Sequence, residues 1–391
     1  MNADLRVDIP LLNDGSSAET AVSLLIEQGL VVWRGPTSDS PPSTCEARVL
    51  DSQHCVVPGF VDIHVHGAQG VDVTDDAADA LVAVGAAHLV QGTTAWCPTI
   101  VSCATERMLA TLERVGRARA VRSAGLPRVL GAHLEGPFLN PDRRGAHPMT
   151  ALRAPDIALA KELLAAAGGA LALLTIAPEL PGAMAVIELM HDAGVVVSIG
   201  HSQATYQQTL DAFAAGCRSV THLFNAMSAF HHRHPGVMGA AIDCDDVWCE
   251  LIADGVHVAW PMVRLLCRAK PTERIALITD CTAAWGAASA SLGEQTITAR
   301  DGAARLNDGT LAGSTLTMDR ALRGVVEHGA MSLTQAVYSA SVAPCALLAG
   351  ELIGAVRPLS VGAPADLVVL DAQRQVVDVM LAGRWIGTDR R

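Results

Sequence analysis

The run GFVDIHVHG (59–67) carries two histidines, His64 and His66, two residues apart, with Val61, Ile63 and Val65 alternating against Asp62 and the two imidazoles. Alternation with a period of two marks a strand with two distinct faces. Imidazoles at i and i+2 on one such face can reach a single metal ion. Further along the chain stand Glu135 in HLEGP, His201 in SIGHS, His222 in VTHLF and Asp280 in LITDC. Imidazole and carboxylate together are the donor set of zinc and related divalent ions. Any one of these residues has an ordinary reading, since a lone buried histidine is more often a hydrogen-bonded core group than a ligand. Six of the right type at equivalent places in successive segments outweigh the single readings. The ligand supply suffices for two ions: His64, His66 and Glu135 for one, and Glu135, His201 and His222 for the other, with Glu135 as the bridge. One or two ions per subunit are expected, zinc foremost, with iron, manganese or cobalt as alternatives.

The elements that must position these residues follow a regular rhythm. Runs rich in β-formers lie at 59–67, 93–99, 129–137, 172–179, 195–202, 219–226, 248–258 and 274–281. Between most of them lie Ala- and Leu-rich stretches such as 75–91, 104–119 and 150–168. Strands alternating with helices imply a parallel sheet, and eight such units predict a closed (β/α)8 barrel rather than an open doubly wound sheet. Every ligand candidate is then expected at the carboxyl end of its strand, the face where such barrels place their active sites. The segments 1–57 and 352–391 read as short strands and turns, and together predict a small β-sandwich built from both termini beside a barrel over 58–351.

Composition excludes several classes. A net charge of −12 and only 3% aromatic residues in 391 argue against nucleic acid or an anionic membrane surface as a partner. Ten cysteines without a CxxC pair indicate reduced thiols rather than a disulfide framework. The first residues lack the basic and apolar regions of a leader, and a cytoplasmic location is expected.

The motifs PGFVDIHVHG, GAHLEGPFLN, SIGHSQAT, THLFNAM, DGVHV, ITDC and LAGSTLTMDRA occur in that order. Over about residue 55 to the C-terminus the chain resembles the amidohydrolase superfamily, in its branch of amino-sugar-phosphate deacetylases. HxH alone is widely shared; HLEGPF followed by GHS, THLFNAM and DGVHV is specific. The resemblance implies hydrolysis of the acetamide of N-acetylglucosamine-6-phosphate to glucosamine-6-phosphate and acetate by a metal-dependent homodimer. It implies Asp280 as the catalytic acid/base and His147, in RRGAH beside Ala146, as a group near the reacting amide. It further implies Asn225 and Ala226 as sugar-phosphate contacts, Arg233 as a phosphate ligand reaching the neighbouring subunit's site, and His257 as its companion. Leu311, Ala312 and Gly313 match a loop near the substrate. Some barrels of this class bridge their metals with a carboxylated lysine at the end of strand four. Here that strand ends TIAPE, and the chain has only Lys161 and Lys270, neither suitably placed.

Three other readings compete. An N-acetylgalactosamine-6-phosphate deacetylase differs by one epimeric hydroxyl, which a sequence does not display. An N-acyl amino-acid hydrolase is disfavoured by Asn225, Arg233 and His257. A non-catalytic barrel scaffold is expected to lose ligands that this chain keeps. His133, two residues before Glu135, is expected to support the ligands from behind.

Overall fold

The computed structural model describes residues 3–45, 47–121, 125–348 and 358–387. The expected boundary at 351/352 lies outside the described residues. Eight parallel strands form the barrel: Phe60–Val65, Thr93–Val101, Ala132–Glu135, Leu171–Ile176, Val196–Ile199, Cys217–Val220, Trp248–Ile252 and Ile275–Ile278. Each pairs with the next in chain order. At the seam between the first and eighth strands, the Asp280 N–H donates to the His64 carbonyl at 2.9 Å. Thr279 Oγ1 donates to Asp62 Oδ2 there at 2.6 Å, so a buried side chain takes over part of the ladder.

Helices follow the strands as the Ala/Leu runs require. In Thr105–Ala120 the buried residues Met108, Leu112 and Val115 share one face, at the spacing of an amphipathic helix. Asp156 caps Ile157–Ala167 by accepting the Leu159 N–H, and Gly168, with φ of 55°, ends that helix. Thr205 and Gln208 form a capping box at Tyr206–Ala214. The helix Gly236–Asp243, after the sixth strand, has no clear sequence signal because it contains two glycines. Lys270 Nζ donates to the Ala241 carbonyl at this helix's end, at 2.8 Å, which accounts for one of the two lysines.

After the eighth strand an antiparallel insertion appears that the sequence did not announce: Ser289–Leu292, Gln295–Arg300, Ala303–Arg305 and Leu311–Ser314. Its last strand returns to the barrel mouth, where the Ser314 N–H donates to the Asp280 carbonyl at 2.7 Å.

Strands from both chain ends make a separate eight-stranded sheet, as expected of a small domain shared by the termini. Cys55–Pro58 joins the two contributions by pairing with Leu5–Asn13 on one side and Leu367–Leu370 on the other. Alternation divides the side chains: Cys55, Val57, Val368 and Leu370 enter the large core shared with the barrel. Val56, Leu367 and Val369 enter the sheet's own core with Leu24 and Ile9. Among the described residues no helix is long and apolar enough to cross a membrane.

Candidate active site

The ligand candidates gather at the carboxyl ends of the strands, with one refinement. Glu135 is the last residue of the third strand, and His64 lies within the first. His201, His222 and Asp280 stand two residues beyond the ladders of the fifth, sixth and eighth strands rather than ending them. All three have left-handed backbone, with φ of 48°, 32° and 50°, a region non-glycine residues adopt rarely and mostly at constrained sites. The turn lifts each side chain over the barrel mouth. Hydrogen bonds from the Thr221 N–H to the Ile199 carbonyl and from the Asp280 N–H to the His64 carbonyl, both 2.9 Å, hold the neighbouring backbone.

Glu135 occupies the centre. Its Oε1 lies 3.1 Å from His201 Nε2 and 3.0 Å from His222 Nε2. Its Oε2 lies 3.3 Å from both His66 Nε2 and His147 Nε2. Asp280 Oδ1 is 3.2 Å from His66 Nε2 and 3.5 Å from His64 Nε2. The two strand-one imidazoles bring their Nε2 atoms to 3.3 Å, and those of His201 and His222 approach to 3.1 Å.

Hydrogen-bond partners assign the tautomers. His64 Nδ1 faces Glu250 Oε2 at 3.1 Å, His66 Nδ1 faces the Thr99 carbonyl at 3.1 Å, and His201 Nδ1 faces the Arg143 carbonyl at 2.8 Å. All three partners only accept, so each Nδ1 carries the proton and each Nε2 presents a lone pair to the centre. His147 has the opposite arrangement. The Ser102 N–H points at its Nδ1 from 3.3 Å, with Ser102 Oγ at 2.9 Å, so Nε2 carries the proton and is a donor. Burial pushes His147 down to about 4 against the pull of the Glu135 charge, and the ring is neutral near pH 7.

This donor set fits a divalent cation. Lone pairs of three imidazoles converge with two carboxylates, all buried, and only positive charge reconciles them. Without an ion the same field acts on protons. Burial works to lower His64 and His66, but the facing Asp280 and Glu135 outweigh it; His64 stands well above its ordinary value and His66 at about 9. Burial works to raise Asp280, yet His64 and His66 hold it below the usual carboxylate value. His64, His66 and Asp280 form one compact group, and Glu135, His147 and His201 another; the proton on His147 Nε2 sets it apart from the other ligand candidates.

A cleft of about 340 Å³ opens over this centre. Ala146, His147, Asn225, Ala226, His257, Leu311, Ala312 and Gly313 all line it, as do Arg143 and Thr310. Arg233 does not line it. Arg233 is exposed and its Nη1 lies 2.9 Å from His232 Nε2, with His231, His232 and His234 on a polar loop around it. His257 is held by Asp254, whose Oδ2 lies 2.7 Å from its Nδ1, while its buried Nε2 has no hydrogen-bond partner among the described residues. Burial works to lower His257, but Asp254 outweighs it and raises the ring above its ordinary value. Two glycines permit close approach: a side chain on Gly136 would strike Ser102 Oγ, and one on Gly313 would meet the Asp280 carbonyl oxygen at 2.8 Å.

The structure adds residues that sequence reasoning passed over: Glu250, Thr99, Ser102, Arg143 and Asp254. Glu250 carried the strongest available signal, an acid inside the otherwise apolar run WCELI. His133 lies behind the centre with its ring 4.5 Å from that of His64, but it hydrogen-bonds Thr175 Oγ1 from Nε2 at 2.8 Å and faces the Ile63 carbonyl from Nδ1 at 3.2 Å rather than a ligand candidate.

Residues 55–386 match the family model of the amidohydrolase family. The chain is 37% identical to the N-acetylgalactosamine-6-phosphate deacetylase of Escherichia coli O157:H7, over 84% of this chain and 86% of that protein. It is 34% identical to the N-acetylglucosamine-6-phosphate deacetylase of Bacillus subtilis (strain 168), over 84% and 83%. Among solved structures, an N-acetyl-D-glucosamine-6-phosphate deacetylase mutant from Mycobacterium smegmatis, in complex with N-acetyl-D-glucosamine-6-phosphate, superposes with a TM-score of 0.91. It is 36% identical, and the match covers 99% of this chain and all of that one. Fold, histidine–carboxylate centre and sequence agree, and this chain belongs to the amidohydrolase family.

Proposed function

We propose that this chain hydrolyses the acetamide of N-acetylglucosamine-6-phosphate, giving glucosamine-6-phosphate and acetate. The observation that carries the reading is the division of labour among the buried imidazoles. His64, His66 and His201 present lone pairs beside Glu135 and Asp280, whereas His147 presents a proton to the same cleft. The sugar-phosphate relatives narrow that chemistry to a substrate.

A bound divalent ion supplies Lewis acidity, polarising a carbonyl and lowering the pKa of water. We assign its retention to His64, His66, Glu135, His201 and His222, with room for two ions and zinc as the best match to the donors. Asp280 accepts the proton of the attacking water at the carboxylate oxygen turned away from His66 and returns it to the departing amine, which leaves poorly as an anion. His147 donates from Nε2 to the carbonyl oxygen as negative charge develops there. His257 offers Nε2 to the phosphate, its charge favoured by Asp254. Asn225, Ala226 and the Leu311–Ala312–Gly313 segment orient the sugar between these ends.

Arg233 lies away from the cleft of its own chain, which supports the assignment of a homodimer whose partner inserts this arginine. Mixing Arg233→Ala subunits with Asp280→Asn subunits tests it: recovered turnover supports the exchange, and no recovery removes it. The cysteine pattern also supports a cytoplasmic enzyme.

The relative at 37% identity favours a second reading, in which the substrate is the galactosamine epimer. Amine release from both N-acetylated hexosamine 6-phosphates and from unphosphorylated N-acetylglucosamine decides. Faster release from the glucosamine phosphate establishes the first reading, and preference for the galactosamine phosphate establishes the second. Release from neither, with metal present, removes both.

A further inference from the structure

We propose that Glu250 is the positioning residue that makes His64 a metal ligand, and so decides whether a second ion is held. Glu250 lies on the seventh strand, Trp248–Ile252, whose neighbouring side chains are apolar. It is fully buried. Its Oε2 accepts the Nδ1–H of His64 at 3.1 Å and the backbone N–H of His222 at 3.3 Å. The Glu250 carbonyl accepts the Leu223 N–H at 2.9 Å. One residue therefore ties the first-strand ligand of one group to the sixth-strand ligand of the other.

The contact fixes a choice that His64 cannot make alone. A neutral imidazole has one proton and two nitrogens, and the nitrogen holding the proton cannot ligate. With an acceptor on Nδ1, the proton stays there and the Nε2 lone pair faces His66, Asp280 and Glu135. Glu250 lies on the Nδ1 side of the ring, while His66 and Asp280 lie on the Nε2 side. Glu250 therefore acts through His64 and does not share its ion. His66 and His201 receive the same service from backbone carbonyls of Thr99 and Arg143, which no side-chain change removes. His64 alone of these three depends on a side chain, so the position that His64 and His66 share is the one open to loss. Glu250 Oε1 has no hydrogen-bond partner among the described residues. An unsatisfied buried carboxylate oxygen is unfavourable for stability, consistent with a residue retained for the site.

The proposal rests on the two-ion reading above, and the test separates the two. Apoprotein prepared by chelation is titrated with Zn²⁺ against a competing chromophoric chelator, with bound zinc counted by elemental analysis. Wild type takes up two ions per chain. Glu250→Asp keeps the charge but withdraws the acceptor by one methylene, and it weakens the second ion about 10–100-fold, the usual effect of losing such a partner, without changing the first. Glu250→Leu does the same. Glu250→Gln loses the charge but keeps an oxygen for both N–H groups, and it holds the second ion within a few-fold of wild type. Wild-type binding of both ions by Glu250→Asp overturns the proposal, as does loss in Glu250→Gln equal to that in Glu250→Asp, or equal weakening of both ions. Should Glu250→Leu fail to fold, the Asp and Gln pair still decides. A wild type that binds fewer than two ions overturns the two-ion reading itself, a different result from any variant's failure.

Discussion

The barrel mouth and the core of the terminal sheet are both buried, yet they are filled with opposite chemistry. The sheet core is built around aliphatic side chains such as Ile9, Leu24, Val56 and Leu367. The mouth packs His64, His66, Glu135, His201, His222 and Asp280 against one another. Apolar burial stabilises wherever it occurs, at about 25 cal/mol per Å². Buried imidazoles and carboxylates oppose folding unless paired, and at the mouth several find their best partner only in a cation. The two regions show that stability and chemistry are carried by separate sets of residues, joined where Cys55–Pro58 runs straight into the first barrel strand.

If that separation holds, perturbations sort by region. Removing the ion has the largest effect: chelation abolishes turnover, added zinc restores it, and the unfolding temperature falls because ligand binding to the native state is lost. Turnover that survives exhaustive chelation, with elemental analysis confirming removal, breaks the metal side of the contrast. Asp280→Asn comes next. Turnover falls about 10²–10⁴-fold, about 3–5 kcal/mol of barrier, while calorimetry shows an unfolding temperature within a few degrees of wild type. A variant that unfolds in step with its loss of turnover would mean that Asp280 belongs to the stability set.

In the sheet, Leu24→Ala leaves a cavity and lowers stability by about 2–5 kcal/mol, measured by urea unfolding. Turnover per folded molecule and zinc content stay unchanged at 25 °C. A fall in zinc affinity would show that the two regions are coupled. The smallest effect concerns His257. Its pKa is raised by Asp254, so the charged ring prevails below that raised value, and its charge is lost as pH climbs through it. KM for the sugar phosphate therefore rises on the alkaline side, and Asp254→Asn moves that rise to lower pH with kcat little changed. An unmoved KM profile removes His257 from phosphate recognition.

The legible part of this protein is the part written locally. GFVDIHVHG shows its strand and the shared face of its two histidines by alternation, because a strand's faces repeat every two residues. Eight β runs separated by helical runs display the barrel for the same reason. The helix Gly236–Asp243 was hidden by its glycines, and the antiparallel insertion at 289–314 by short, mixed strands of weak periodicity.

What only tertiary structure decided is which atoms face which. The sequence determined that His64, His66, His201 and His222 stand at or near strand ends and that His147 follows in RRGAH. It did not say that His147 holds its proton on Nε2 while His64, His66 and His201 hold theirs on Nδ1. That assignment comes from Ser102, Glu250, Thr99 and Arg143, residues 33 to 186 positions away in the chain. Nor do the left-handed turns at His201, His222 and Asp280 follow from local preference, since even His and Asp, which tolerate that region better than most side chains, adopt it in a minority of cases. Local periodicity places a side chain on a face, but a proton's position is set by the nearest acceptor in space, and that acceptor arrives only when the barrel closes.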